Sequence, residues 1–150
     1  MISEEFKDIF YKPINKLVTS KDDVVTLNED DKLLHAMIVL SNSGYQTIPV
    51  LNKKNNVTGI ISIAMIVTSC EDYNGYKNDS LTKKVKTVMK KSVSCVNENF
   101  ELEDILKLLI DNNFLCVVNN KNEFVGMIKR KEILERFTFI AHKVKDIKLK

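Results

Sequence analysis

Hydrophobic and polar positions follow the same order in two stretches of the chain. Residues 48–61 and residues 115–128 share six identical residues at a spacing of 67, and nearly every other apolar position of one stretch is matched by an apolar position of the other. Upstream the spacing becomes 69, so the second copy is two residues shorter between its helix and its next strand. A repeat of this length predicts two related supersecondary units that complete one core together.

The first copy predicts a β-α-β-β-α unit. Its helix is predicted from an apolar stripe at helical spacing, formed by Leu33, Ala36, Met37 and Leu40. Asp30 or Asp31 is expected to cap this helix, because a carboxylate can accept hydrogen bonds from the free N–H groups of a first turn. The other predicted elements are an extended segment at Val24–Leu27, strands at Thr47–Leu51 and Val57–Ser62 joined by a polar turn at Asn52–Asn56, and a helix at Ile63–Ser69.

The second copy predicts the same elements in the same order. They are a helix near Phe100–Asp111, strands near Leu115–Val118 and Phe124–Lys129, and a last helix from about Lys131 to about His142. A short amphipathic helix precedes the repeats, with Ser3 as its cap and Pro13 at its end. The fold class is α/β (α+β), divided into an N-terminal helix (1–13), a first repeat (14–70), a linker (71–84), a second repeat (85–142) and a basic tail (143–150).

Composition excludes little. A net charge of +3 over 150 residues neither requires nor excludes nucleic acid, and the Lys-rich residues 83–91 lack interleaved aromatics, so we expect no nucleic-acid partner. The three cysteines form no Cys-x-x-Cys pair, and we expect reduced thiols and no metal site. The first ten residues lack the features of a signal sequence, and no apolar run reaches the roughly 18 residues that span a bilayer. We therefore expect a cytoplasmic protein without a membrane partner.

Two short motifs give the repeats a family resemblance. Gly44-Tyr-Gln-Thr-Ile-Pro49 is a Gly-x-x-x-x-Pro turn into a strand, and Gly59-Ile-Ile-Ser62 is a Gly-hydrophobic-hydrophobic-Ser exit from the next strand. A β-α-β-β-α unit with these motifs, occurring twice over about residues 14–137, resembles a pair of CBS motifs, or Bateman module. The resemblance implies one disc-like module with two clefts for adenine nucleotides, and homodimers of such modules.

A narrower resemblance is to the small stand-alone CBS proteins of Gram-positive bacteria that bind cyclic di-AMP, the DarB/CbpB type. It rests on Leu33–Leu40, Gly44-Tyr45, the shortened segment Asn113–Val117 and the basic exit Lys129–Lys131. Asp23 and Lys131 depart from that type, which has Lys at the first position and Arg at the second. The resemblance also implies the ligand-binding residues. The nucleobase would contact Ser20 and Val25, and both nucleobase and phosphate would contact Tyr45, Gln46 and Thr47. The phosphate would also contact Lys129, Arg130 and Lys131.

Two positions bear on the choice of nucleotide. CBS sites for mononucleotides usually hold the ribose hydroxyls with an Asp, and the corresponding residues here are Met65 and Glu132. The Lys129–Lys131 run suits a ligand whose ribose oxygens are tied up in phosphodiesters, and the planar guanidinium of Arg130 can bind two phosphate oxygens at once. The alternative interpretation of this run is a solvated surface at a strand-to-helix corner. The other cleft, with Ser62, Ser94 and Phe114, is expected to be empty or weak.

These observations favour a cyclic di-AMP receptor that needs no cofactor and is not an enzyme. The resemblance implies ligand-gated binding to a cytosolic partner such as the (p)ppGpp synthetase-hydrolase of the stringent response, preferentially by the ligand-free form. Apolar helix faces at Ile63–Val67 and Ile133–Phe137 predict a homodimer. Two alternatives stay open: a sensor of AMP, ADP or ATP, and a constitutive protein-protein adaptor without a ligand.

Overall fold

The computed structural model of the protein describes residues 1–11, 17–71 and 80–148. Pro13 and residues 72–79 of the predicted linker lie outside the described residues. The order of elements confirms two β-α-β-β-α repeats and the mixed α/β class, with β2 to α3 forming the first repeat and β5 to α5 the second. The helices are α1 (Glu4–Tyr11), α2 (Leu33–Ser43), α3 (Ile63–Cys70), α4 (Leu102–Asp111) and α5 (Arg130–Lys148), and the strands are β1 (Thr19–Ser20), β2 (Leu27–Asn28), β3 (Thr47–Leu51), β4 (Val57–Ser62), β5 (Cys95–Asn97), β6 (Phe114–Val118) and β7 (Phe124–Lys129).

The strands form two sheets, one for each repeat. The first has the order β2-β3-β4, and the second has the order β1-β7-β6-β5. In both, the hairpin is antiparallel, and the strand that leads into the repeat runs parallel to the hairpin's first strand. Each sheet buries its own apolar core, whereas Leu51, Cys116 and Phe124 form a third buried cluster with members from both sheets. The two repeats therefore share apolar contacts between their hairpins.

The hairpin turns have the same conformation in both repeats. Asn55 and Asn122 adopt φ values of 67° and 63°, in the left-handed region that Asn tolerates better than most side chains. The turns also bond to each other, because Asn56 Nδ2 donates to the Asn122 carbonyl (2.8 Å) and Phe124 N donates to the Asn55 carbonyl (2.8 Å). The repeated Asn residues thus set the turns and link the two halves.

The segment leading into each repeat packs on the sheet of the other repeat. β1 pairs with β7, with Thr19 opposite Met127, and Leu17 is buried in the core of the second repeat. Conversely, Val85 is buried in the core of the first repeat, and its N–H donates to the Asp31 carbonyl (2.8 Å). The predicted linker therefore includes residues from Ser80 onward that are part of the folded module. The repeats interlock rather than forming two separate domains.

The first turn of α2 is capped by a distant backbone group, and the predicted aspartate cap is wrong. The N–H of Leu33, at the start of α2, donates to the carbonyl of Lys83 (2.8 Å). The Asp31 carboxylate instead accepts from the N–H of Asn28 (2.8 Å) in the preceding turn, and Asp30 caps no helix. Because Lys83 comes from the segment leading into the second repeat, no local sequence rule could identify this cap.

Helix α5 is longer than predicted. It continues to Lys148 rather than ending near His142. The six residues that follow His142 contain neither Gly nor Pro, so no residue among them breaks the helix. The predicted basic tail is therefore helical through Lys148.

Helix α1 lies against α5. As predicted, Ser3 caps α1, since its Oγ accepts from the N–H of Phe6 (3.2 Å). At the other end of α1, Arg136 of α5 is buried, and its Nη1 donates to the carbonyl of Phe10 (2.9 Å). The rings of Phe6, Phe10 and Phe137 form a cluster with centroids 5.6–5.9 Å apart. The N-terminal helix is thus attached to the second repeat.

Candidate ligand-binding site

A cavity of about 190 Å³ lies where the first repeat meets the second. The first repeat contributes Val24 and Val25 from the segment before β2, and three residues at the start of β3. The second repeat contributes the start of β6, β7 and the first turn of α5. The lining residues are Val24, Val25, Tyr45, Thr47, Ile48, Asn113, Phe114, Met127, Lys129 and Lys131.

The inner wall of the cavity is apolar. Ile48 and Met127 are buried there, and Phe114 and Val25 are half-buried. Val25 lies in the segment predicted to be extended, before β2, which begins at Leu27. An apolar wall with an aromatic ring suits the flat face of a planar group such as a nucleobase, because burial of such a group removes apolar surface from water.

The mouth of the cavity carries two lysines and a tyrosine. Lys129 Nζ lies 5.4 Å from the centroid of the Tyr45 ring, a distance at which a cation is attracted by the ring face. Tyr45 and Lys131 are exposed, and Lys129 is half-buried. The mouth therefore combines positive charge with an aromatic surface, and it suits an anionic ligand that also has a flat ring.

Five of the eight predicted site residues line this cavity, and they are Val25, Tyr45, Thr47, Lys129 and Lys131. Ser20 does not, because it is exposed and its Oγ accepts from the N–H of Asp22 (3.4 Å) at a short 3-10 turn. Gln46 is also exposed and lines a neighbouring groove of about 440 Å³ together with Ser62 and Ala64. These two positions lie beside the cavity rather than in it.

Arg130 has a structural role that the sequence did not reveal. Its Nε donates to the carbonyl of Leu109 (2.7 Å) and its Nη2 to the carbonyl of Ile110 (3.1 Å), at the C-terminal end of α4. The alternative interpretation of a solvated corner is therefore wrong for Arg130, because its guanidinium binds carbonyls that the helix leaves unsatisfied. Arg130 borders an adjoining groove of about 440 Å³ that shares Asn113 and Lys131 with the cavity.

The second cleft is only partly as expected. A cavity of about 180 Å³ is lined by Ser94 and Phe114, as predicted, together with residues such as Lys90 and Asp111. Ser62 is not among its lining residues, because it caps α3 by accepting from the N–H of Met65 (3.1 Å). Thr47, Asn113 and Phe114 line both cavities, so the two lie next to each other.

Sequence reasoning did not assign five of the residues that line this cavity. They are Val24, Ile48, Asn113, Phe114 and Met127. Strand alternation could have identified Met127, because side chains two residues apart on a strand share a face and Lys129 was already assigned. No sequence pattern marks Val24 or Asn113, whose positions depend on how the two repeats come together.

Neither a metal-binding cluster nor a membrane-spanning helix was found in the described part of the chain. Within residues 1–11, 17–71 and 80–148, no cluster of three or more His, Cys, Asp or Glu residues could hold a metal ion. Among the helices of these same ranges, none combines the length and the apolar character needed to cross a bilayer.

Comparison with known proteins agrees with this architecture. The CBS domain family matches residues 14–72 and 85–138. The chain belongs to the CBS domain family. Its two matched segments correspond to the two repeats, so the protein carries a tandem pair of CBS domains.

Three relatives illustrate the range of CBS proteins. Inosine-5'-monophosphate dehydrogenase of Methanocaldococcus jannaschii is 34% identical over 76% of this chain, which spans only 22% of that protein. Cyclic di-AMP receptor B of Bacillus subtilis is 28% identical over 90% of this chain and 92% of its own length. The crystal structure of CbpB from Listeria monocytogenes in complex with c-di-AMP has a TM-score of 0.78 and 30% identity, covering 85% of this chain and 97% of that one.

CBS sites for mononucleotides usually bind the ribose hydroxyls with an Asp. At the corresponding positions of this chain, no carboxylate lines the cavity. In the first repeat the position is Met65, and in the second it is Glu132. Glu132 Oε1 accepts from Thr19 Oγ1 (3.2 Å), and Oε2 is buried and has no hydrogen-bond partner within the part of the chain that the structure describes. Neither residue lines the cavity.

Proposed function

We propose that the protein is a cyclic di-AMP receptor with a regulatory rather than a catalytic role. The observation that carries the proposal is a cavity whose apolar wall comes from both repeats and whose mouth holds Lys129 and Lys131. One base of the ligand lies against Phe114 and Met127, and the phosphodiesters lie at the lysines. Tyr45 and Thr47 contact the base and the nearby phosphate.

The size of the cavity supports a ligand that is only partly enclosed. At about 190 Å³ the cavity is smaller than the roughly 300–1,000 Å³ of sites that enclose a whole small molecule. It therefore accommodates one part of a dinucleotide, and the remainder extends over the mouth. The adjoining grooves, one lined in part by Gln46 and the other by Arg130, provide further surface for that remainder.

The absence of a ribose-gripping carboxylate among the lining residues favours a cyclic dinucleotide over AMP or ATP. In a mononucleotide both ribose hydroxyls need partners, whereas in a 3',5'-linked cyclic dinucleotide one of them is esterified. Two relatives point the same way, since one is named for binding cyclic di-AMP and the other was crystallised with it.

Titration calorimetry with cyclic di-AMP, AMP and ATP tests the proposal. We expect cyclic di-AMP to bind with a dissociation constant in the micromolar range or below, and both mononucleotides to bind more weakly. Lys131→Ala should weaken binding about 10-fold or more, because a charge-assisted hydrogen bond contributes roughly 1.5–3 kcal/mol. Lys121→Ala is the matched control, since Lys121 is exposed in the β6–β7 turn and should not matter. A preference for ATP would show that the ligand assignment is wrong.

A second copy of the chain completes the proposed assembly. Large apolar side chains are exposed on α2, at the end of α4 and on α5, and they include Leu34 (52% exposed), Ile38 (51%), Ile110 (75%) and Leu134 (58%). The α3 face expected to contribute carries none of the large exposed apolar residues, because Ile66 is buried and Ile63 packs against the core of the first repeat. Sedimentation at low micromolar concentration should give a dimer for the wild type and a monomer for Leu134→Lys.

The proposed output is ligand-gated binding to a cytosolic protein such as a (p)ppGpp synthetase-hydrolase. If that partner contacts the mouth around Tyr45 and Lys131, ligand and partner must each weaken the other's binding by the same factor. A pull-down of the purified synthetase with and without cyclic di-AMP tests this. Retention only in the absence of ligand is the expected result, and equal retention in both conditions would favour a constitutive adaptor.

A further inference from the structure

Two of the three cysteines lie side by side on neighbouring strands. Cys95 on β5 and Cys116 on β6 are direct partners in the parallel ladder, so their side chains are on the same face of the sheet. Neighbouring strands are about 4.8 Å apart, within the roughly 4.4–6.8 Å between Cα atoms that a disulfide requires. The side chains are close enough that each thiol shifts the pKa of the other. Both cysteines are free in this structure.

The two thiols differ in exposure and in acidity. Cys95 is exposed, whereas Cys116 is fully buried beside Leu51 and Phe124. The hydrogen bond from the Cys116 thiol lowers the pKa of Cys95, although partial burial opposes this. The hydrogen bond with Cys95, together with burial, raises the pKa of Cys116. Because the thiolate is the reactive form, Cys95 is the member of the pair that meets an oxidant first.

We propose that Cys95 and Cys116 form a reversible, peroxide-responsive disulfide site. The Cys95 thiolate attacks one oxygen of hydrogen peroxide, the O–O bond breaks, and Cys95 becomes a sulfenic acid while hydroxide leaves. The Cys116 sulfur then attacks the Cys95 sulfur, and the sulfenic hydroxyl leaves with the Cys116 proton as water. The two sulfurs are oxidised by two electrons in total, and the peroxide is reduced. A low-molecular-weight thiol reverses the reaction by thiol–disulfide exchange.

The third cysteine provides an internal control. Cys70 is buried at the end of α3, in the core of the first repeat, whereas the proposed pair lies in the sheet of the second repeat. The proposal does not depend on the ligand. The cysteine pair nevertheless lies beside the candidate site, because Cys116 is opposite Met127 in the β6–β7 ladder, and Met127 lines the cavity.

The test is oxidation of the wild-type protein by a stoichiometric amount of hydrogen peroxide, followed by trypsin digestion without reduction. Cleavage after lysine places Cys95 in residues 92–107, Cys116 in residues 108–121 and Cys70 in residues 55–77. We expect the first two peptides to appear as one linked species that dithiothreitol separates. The thiol count of the denatured protein should fall from three to one.

Variants and a rate measurement make the test decisive. Cys95→Ser should leave Cys116 and Cys70 reduced, and Cys70→Ser should leave the linked peptides unchanged. Alkylation of Cys95 by iodoacetamide should shift to higher pH in Cys116→Ala, because the thiol that donates to Cys95 is lost. Circular dichroism verifies that each variant is folded. Two results with the wild-type protein would overturn the proposal. One is overoxidation of Cys95 while Cys116 stays reduced, and the other is a disulfide that involves Cys70 or joins two copies of Cys95.

Discussion

Replacement of Arg130 by Ala tests whether this side chain supports the fold. The substitution removes two hydrogen bonds from a guanidinium to the carbonyls of Leu109 and Ile110, one partly buried and one exposed. Hydrogen bonds to charged groups contribute roughly 1.5–3 kcal/mol each when buried, and much less when solvent screens them. We therefore expect the free energy of unfolding to fall by about 1–2 kcal/mol. For a chain of this size that corresponds to a Tm lower by about 2–8 °C.

The assay is thermal and urea unfolding followed by circular dichroism, with two control variants. Arg130→Lys keeps the positive charge near the end of α4 but cannot bond two carbonyls with one planar group, so its Tm should be intermediate. Lys131→Ala changes the exposed neighbour and should alter the free energy of unfolding by less than about 0.5 kcal/mol. If Arg130→Ala melts within a degree of the wild type, the bonds to α4 do not stabilise the protein and our reading of this residue is wrong.

Three further predictions concern β1, a turn and an ion pair. Gly126→Ala should lower the Tm and weaken ligand binding, since the new Cβ would lie 2.5 Å from the Thr19 carbonyl oxygen and push β1 from β7. Asn122→Ala should cost about 1–2 kcal/mol in urea unfolding, whereas Asn122→Gly should cost little, because φ is 63°. The hydrogen bond from Lys86 lowers the pKa of Asp30 in the folded protein. The ion pair therefore stabilises the fold at pH values above the pKa of Asp30 in the unfolded chain, and this stabilisation is lost as the pH falls through the lower pKa of the folded state. The difference in stability between wild type and Asp30→Asn should therefore disappear in acid, and a difference that persists there would contradict the assignment.

The hairpins could be predicted from the sequence because the physical causes are local. β3, β4 and β7 have the bounds expected from apolar runs that flank a polar turn. Asn55 and Asn122 occupy the left-handed turn positions, and the repeat itself showed that the two turns are equivalent. The pairing of repeats into a CBS module followed from the same motifs.

What the sequence could not reveal depends on contacts between distant segments. The cap of α2 comes from the carbonyl of Lys83. The pairing of β1 with β7 joins segments more than a hundred residues apart. For Arg130, the resemblance implied phosphate binding, and nothing in the sequence indicated its bonds to the end of α4. Arg130 and Arg136, the two arginines of the sequence, both donate to carbonyls at the ends of other helices, α4 and α1. The planar set of N–H donors in a guanidinium can bind the free carbonyls at a helix end as well as the oxygens of a phosphate.

The exchange of lead-in segments between repeats has a consequence for synthesis on the ribosome. β1 is made early, but its partner β7 emerges about a hundred residues later, so the sheet of the second repeat stays incomplete until β7 has been translated. Lys129 and Lys131, at the mouth of the cavity, emerge at the same late stage. A nascent chain that stalls before β7 therefore has neither a closed module nor a complete cavity, and it exposes apolar surface at Leu17 that the finished protein buries.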